Sequence, residues 1–199
     1  MTEFDQLCIY QKVYIIDIEY TTMIGFHHHH IDHMYVRSDM AELILNYLPQ
    51  GGVAADLGCG PGRFCQILLN KASKVYCVDI DEYAINMAKE IIKDERAVFL
   101  NEDASSTSIP TSSVDLVIMV NAFHDMENKD KVALEVGRIL KQDGLALIIE
   151  SKPGLTSYGP PPWLRMSPDD VIKYFNNPQL KVEVIKDLGD FNAIVIKKL

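Results

Sequence analysis

Residues 52–62, Gly52-Val53-Ala54-Ala55-Asp56-Leu57-Gly58-Cys59-Gly60-Pro61-Gly62, decide how this chain reads. A short apolar run ends in an acid, and glycines then follow at every second position. That pattern suits a tight turn from a strand into a helix. Glycine tolerates positive φ and lets a ligand approach the main chain closely. The helix behind such a turn aims unpaired N–H groups and a partial positive charge at that ligand. No Gly-Lys-Ser/Thr follows, so the turn is not a phosphate-binding P-loop. The glycine spacing also differs from the dinucleotide pattern G-x-G-x-x-G, although the logic is related.

Downstream, apolar patterns alternate between two periods. Phe64, Ile67 and Leu68 mark one face of a helix. Residues 74–80 (KVYCVDI) read as a buried strand, and Asp81 caps a helix whose apolar positions are Ala84, Ile85, Ala88, Ile91 and Ile92. Residues 97–100 form a third strand, followed by a Ser/Thr/Pro loop over 105–113. Residues 114–120 (VDLVIMV) are nearly all apolar, as a central parallel strand requires. Val132, Val136, Ile139 and Leu140 give another helix face, closed by a turn at Asp143-Gly144, and residues 145–149 form a fifth strand. Strands alternating with helices imply βαβ units, a parallel sheet and right-handed crossovers. The last third differs: a Gly/Pro-rich loop over 153–168, a helix start at Ser167-Pro168-Asp169-Asp170, and an antiparallel hairpin of residues 182–185 and 191–196.

In a doubly wound sheet, ligands bind beyond the carboxyl ends of the strands where strand order reverses. Asp56, Asp79, Asp103 and Asn121 all fall at or near such ends. Taken singly, each fits a helix cap or a solvated loop; their recurrence argues for one shared site. A carboxylate at Asp79 can accept hydrogen bonds from both hydroxyls of a ribose and would repel a 2′-phosphate. Ile80 could press on an adenine face, and Asp103, with the Ala104 N–H nearby, could meet the adenine amino group.

Acidic-x-Gly-x-Gly-x-Gly at 56–62 resembles the first motif of the class I S-adenosylmethionine-dependent methyltransferases, in particular their small type 11-like domains. The resemblance runs along most of residues 40–150. Val75-Tyr76-Cys77-Val78-Asp79-Ile80-Asp81 resembles the second motif. Glu102-Asp103-Ala104, Ile109-Pro110 and Ser113-Val114-Asp115 resemble the third and fourth. Residues 135–141 (EVGRILK), then Gly144, resemble the helix and turn before the fifth strand, with Asp143 where a second glycine is common. The resemblance implies an α/β, Rossmann-like, doubly wound seven-stranded sheet of order 3-2-1-4-5-7-6, strand 7 antiparallel, with helices on both faces. It implies S-adenosyl-L-methionine as cofactor, held by Asp56, Gly58, Cys59, Gly60, Gly62, Asp79, Ile80, Asp103, Ala104 and Asn121. Residues 39–199 would form the methyltransferase domain, and residues 1–38 an N-terminal extension capping cofactor and substrate.

The segment after the fourth strand usually faces the transferred methyl in that family. Here it reads Asn121-Ala122-Phe123-His124-Asp125. It lacks the Asn/Asp-Pro-Pro-aromatic motif of enzymes that methylate exocyclic amines of bases. His124 is the side chain there able to take a proton near neutral pH, and it is the candidate catalytic residue. Packing of His124 against the next helix is the alternative, because positioning and desolvation can supply most of the acceleration of an in-line methyl transfer. Phe123, His30, His33, Tyr158, Trp163 and Arg165 are candidate substrate residues. The run His27 to His30 with His33 also invites a metal reading, but no Cys or acidic ligand at metal spacing accompanies it, so no metal is expected. The loop holding Tyr158, Trp163 and Arg165 reads as a lid or substrate wall, against a loop anchored by one buried aromatic.

Composition sets the outer bounds. The chain has 199 residues, 48% of them hydrophobic and 24% charged, which fits one globular domain with a small extension. A net charge of -9 argues against a surface that neutralises phosphates, so a small-molecule acceptor is expected and nucleic acid is disfavoured. The longest apolar stretch, residues 7–24, is interrupted by Lys12, Asp17 and Glu19, so neither a membrane span nor a signal peptide is expected. The four cysteines form no C-x-x-C pair and read as reduced thiols of a cytoplasmic protein. Two rivals remain: a catalytically silent module that binds the same cofactor, and a nucleotide-sugar or NAD-dependent oxidoreductase, which the glycine spacing disfavours.

Overall fold

The computed structural model of the chain describes residues 37–154 and 159–199. In chain order the described elements are α1 (Ser38–Tyr47), β1 (Val53–Leu57), α2 (Arg63–Leu69), β2 (Lys74–Asp79), α3 (Glu82–Ile91), β3 (Ala97–Asn101) and β4 (Val114–Val120). A single 3-10 turn (Phe123–Asp125), α4 (Lys129–Ile139), β5 (Leu140–Ser151), α5 (Pro168–Phe175), β6 (Leu180–Asp187) and β7 (Phe191–Lys198) follow. The strands form one seven-stranded sheet of order β3-β2-β1-β4-β5-β7-β6. Strands β1 to β5 pair in parallel, and β7 is antiparallel to both β5 and β6. This is the sheet that the family resemblance implies. Helix α1 is an addition to the sequence reading.

The apolar run of β4 is explained by cover on both faces. Its side chains alternate with the period of two that a strand imposes. Leu116 and Ile118 pack with Ile44 of α1, Leu68 of α2 and Ile85 of α3. Val117 and Met119 pack on the other face with Val132 and Val136 of α4 and Val171 and Phe175 of α5. Each fully buried aliphatic side chain of this kind contributes about 1.5–3 kcal/mol relative to exposure. No helix among the described residues is long and apolar enough to cross a membrane.

Local signals act as the sequence predicts. Asp81 Oδ1 accepts the Tyr83 N–H at 2.9 Å and caps α3. Ser167 and Asp170 form a reciprocal capping box on α5, with Pro168 in its first turn. The turn at Asp143-Gly144 lies inside a longer β5: pairing with β4 jumps from Val114↔Leu140 to Val117's neighbour pair Leu116↔Leu145, so residues 141–144 bulge out. Asp143 takes φ 61°, which explains why glycine is common there and why aspartate is tolerated.

The cysteines depart from expectation. Cys65 of α2 and Cys77 of β2 are both buried on the face that joins these elements, and the structure pairs them as a disulfide with Cα atoms 6.2 Å apart. They are twelve residues apart in sequence, and only the packing of α2 over β2 brings them together. Cys59 is a free, buried thiol.

Candidate functional site

The glycine turn sits where strand order reverses, between β1 and β4. The N–H groups of Gly58 and Cys59 both donate to the Val78 carbonyl, at 2.8 and 3.0 Å, which ties the turn to β2. Gly58 has φ 79°, and a Cβ built there would lie 2.6 Å from the Cβ of Ala122. The chain leaving β4 therefore passes against the chain leaving β1, and only glycine leaves room for it. Gly60 has φ 53°, and a Cβ there would meet nothing within 4 Å. Its side of the turn is the open one. A Cβ at Gly62 would strike Ile92 Cδ1 at 2.7 Å, so that glycine serves the packing of α3.

Asp79 closes the turn from the neighbouring strand. Its Oδ2 accepts the Gly60 N–H at 2.7 Å and its Oδ1 accepts the Asp81 N–H at 2.9 Å. An ionised carboxylate offers about four acceptor positions, so both oxygens keep capacity for a ligand. Asn101 Nδ2 donates to the carbonyls of Asp79 and Ile80 and fixes the end of β2 against β3. Ile80 is 72% exposed beside this carboxylate.

Asp56 is 1% exposed at the end of β1, paired in register with Cys77 and Ile118. Burial, and then the charge of Asp79, push its carboxyl up to about 8. The Cys65 sulfur lies 3.5 Å from its Oδ2 and, as half of a disulfide, has no S–H to donate to it. Burial also pushes the Cys59 thiol up, with Asp56 and Asp79 adding to it.

Asp103 is exposed two residues beyond β3, and its Oδ1 accepts the Ser105 N–H at 2.7 Å. Ala104 is half-buried against the core. Their loop is fastened by two residues of α4 that sequence reading treats only as part of a motif. Glu135 Oε1 accepts from the Thr107 N–H at 2.8 Å and the Thr107 hydroxyl at 2.6 Å. Arg138 donates through Nε to Glu135 Oε2 at 2.7 Å and through Nη2 to the carbonyls of Thr107 and Ile109 at 3.0 and 2.8 Å. The Glu135-x-x-Arg138 spacing puts both on one helix face toward the loop.

Beyond β4, Asn121 takes φ 48° and its Oδ1 accepts the Ser151 hydroxyl at 3.0 Å. Phe123, expected on the substrate wall, belongs to the core: it is fully buried, edge-on to Tyr174 at 5.7 Å and against Phe175 at 5.4 Å. The 3-10 turn points its ring into the core. His124 is held by Glu150 of β5 and, through its carbonyl, by Lys129 of the next helix. Its backbone N–H donates to Glu150 Oε1 at 3.2 Å, its Nδ1 lies 2.7 Å from Glu150 Oε2, and its Nε2 lies 3.3 Å from Asp125 Oδ2. Burial pushes His124 down, but the hydrogen bond and charge of Glu150, with Asp125, outweigh it and hold it above its ordinary value. Glu150 is fully buried and was missed in the sequence. The signal was present: it is another acid at a strand's carboxyl end, the feature that marks Asp56, Asp79 and Asp103.

Among the described residues, the loop after β5 is anchored by Arg165. Arg165 is buried and donates through Nε to the Pro160 carbonyl and through Nη1 to the Gly154 carbonyl, both at 2.8 Å. Those bonds close the loop on itself and occupy two of the Arg165 N–H groups with main-chain carbonyls. Trp163 is 81% exposed on the same loop. Tyr158 and the histidines His27 to His33, including His30 and His33, lie outside the described residues.

A family model described as a methyltransferase domain matches residues 55–148. The chain is 34% identical to a candidate type 11 methyltransferase of known structure from Sulfolobus solfataricus, covering 80% of this chain and 89% of that one with a TM-score of 0.68. A methyltransferase structure from Aquifex aeolicus shares the fold, with a TM-score of 0.75 at 23% identity over 80% of this chain and 89% of that one. Among curated relatives, 2-methyl-6-phytyl-1,4-hydroquinone methyltransferase of Synechocystis sp. is 32% identical over 108 residues, which are 53% of this chain and 34% of that protein. The matches span about a third to a half of the length of the curated relatives.

Proposed function

The chain belongs to the class I S-adenosylmethionine-dependent methyltransferases, and from that premise we propose that it methylates a small-molecule acceptor. The observation that carries the reading is Asp79, a carboxylate held at the end of β2 by the Gly60 N–H at 2.7 Å, with exposed Ile80 beside it. Two features fit the family's cofactor. The open side of Gly60 leaves room for a ligand against the main chain, and the buried Asp56 carboxyl, raised to about 8, pairs with no cation among the described residues, a place the cofactor's charged amino-acid end would fill. When bound, the cofactor supplies a methyl carried on a sulfonium.

The residues divide the work as follows. Asp79 accepts from the ribose hydroxyls, Ile80 covers one adenine face, and Asp103 with the Ala104 N–H meets the adenine edge. Asp56 faces the charged amino-acid end, and the turn from Gly58 to Gly62 excludes water from the cofactor's flank. His124 takes the proton of the acceptor atom. The relative named for a hydroquinone substrate and the net charge of -9 both support a small-molecule acceptor over nucleic acid. Transfer of labelled methyl to a panel of hydroquinones, phenols and carboxylic acids tests the activity. Product from at least one is expected; cofactor binding with no transfer to any would instead favour a silent binding module.

Asp56 gives a pH-dependent expectation. Its folded value, about 8, stands above the ordinary 3.8, so the free folded protein holds a proton there that the unfolded chain releases. Stability of the free protein therefore falls as pH rises through that window. A cation bound against Asp56 lowers its value and expels the proton. Binding of S-adenosylmethionine near pH 7 should release up to one proton, and affinity should rise by up to about tenfold per unit between about pH 6 and 7.5. Calorimetry in buffers of different ionisation enthalpy reads this directly. An Asp56→Asn variant should lose the release; a wild-type protein without it would place the charged end elsewhere.

A further inference from the structure

We propose that Glu150 is the positioning residue for His124, gripping it through both carboxylate oxygens so that Nε2 is the working nitrogen. This deepens, and rests on, the reading of His124 as proton acceptor. The grip is geometric. Oε1 takes the His124 backbone N–H at 3.2 Å and Oε2 takes Nδ1 at 2.7 Å, so one carboxylate fixes the main chain and the ring of the same residue. Glu150 is fully buried on β5, between β4 and β7, and a side chain held that deep in a sheet has little freedom to move. With Nδ1–H committed to Glu150, the lone pair of neutral His124 lies on Nε2.

The other charged groups facing the imidazole are Asp125 and Lys129. The Asp125 carboxylate lies 3.3 Å from Nε2 but is 68% exposed, so it can swing into solvent and uncover that nitrogen. Lys129 Nζ donates to the carbonyls of His124 and Met126, at 2.8 and 2.6 Å, and ties the backbone of the turn to α4. In turnover the acceptor's proton passes to Nε2 as the acceptor's electron pair forms the new bond to carbon. The carbon–sulfur pair stays on sulfur, and the imidazolium charge is balanced by Glu150. The arrangement fits acceptors that must lose a proton, such as a hydroxyl or an activated carbon.

The test uses the full chain with Glu150→Gln, Glu150→Asp and His124→Gln, each checked for a cooperative thermal transition. First, nuclear magnetic resonance of nitrogen-labelled histidine in the free protein follows His124, identified by the signal missing in His124→Gln. In wild type Nδ1 should be the protonated nitrogen of the neutral ring, titrating above 6.5. In Glu150→Gln the titration should fall by one pH unit or more, and Glu150→Asp should recover part of the shift. Second, the pH dependence of methyl transfer is measured on whichever acceptor the panel yields. The rise of turnover with pH should move to lower pH in Glu150→Gln, and the plateau should drop roughly tenfold or more as the base weakens. KM for the cofactor should stay unchanged. An unmoved His124 titration in Glu150→Gln, with turnover still dependent on His124, would overturn the positioning role alone. Full turnover in His124→Gln would overturn the catalytic reading of His124 and this proposal with it.

Discussion

Asp79→Ala will weaken binding of S-adenosylhomocysteine by roughly 1.5–3 kcal/mol, the usual range for hydrogen bonds to charged groups. That corresponds to about a ten- to hundredfold rise in Kd. Three losses add in this variant. The ligand loses its carboxylate acceptor, and the glycine turn loses the bond from Gly60 N–H that holds it in place at 2.7 Å. The Asp81 N–H is also released at the start of α3. Asp79→Asn separates the first two, because its amide oxygen can keep the bond to Gly60 while the charge is gone; its effect should be smaller. Titration calorimetry on protein with an intact thermal transition measures both. Wild-type affinity in Asp79→Ala would put the nucleoside somewhere other than the end of β2.

Glu135→Ala will lower stability by about 2–4 kcal/mol, because it leaves the partners of a largely buried charged network unpaired. Thr107 loses the acceptor for its N–H and its hydroxyl, and Arg138 loses its carboxylate. Burial alone would raise the Glu135 carboxyl, but the hydrogen bonds from Arg138 and Thr107 outweigh it and hold it below its ordinary 4.5. A depressed carboxyl stabilises the fold above its unfolded value and loses that contribution as pH falls through the folded value. The Tm gap between wild type and Glu135→Gln should therefore be widest near neutral pH and should close in acid. The same variant should weaken cofactor binding through the freed loop of Asp103. A pH-independent Tm gap would mean that Glu135 acts through packing and not through its charge.

The glycine turn, the alternating strands and the acids at strand ends were legible because each is a local pattern with a local cause. The sheet order was not readable from periodicity; it came from motif resemblance, since strand neighbours are set by crossovers far apart in sequence. The Asp143 bulge was visible as a turn, but its place inside β5 depends on pairing with β4. The site was legible in proportion to how much of it lies on strand ends. Glu150 was missed although it obeys the same rule, because β5 reads as a purely apolar run up to Ile149. Phe123 and Arg165 show the converse. Both stand in site segments, yet the 3-10 turn buries the first and loop carbonyls engage the second. Glu135 and Arg138 stood in view as a motif, but only the fold shows that the motif fastens a loop.

One measurement bears most directly on the central claim, that the turn from Gly58 to Gly62 and the Asp79 carboxylate hold S-adenosylmethionine. Titration calorimetry of the folded chain with S-adenosylmethionine, S-adenosylhomocysteine and NAD should show saturable, one-to-one binding in the micromolar range for the first two and little for NAD. No heat with either sulfur nucleoside, on protein with a cooperative thermal transition and across several temperatures, would contradict it.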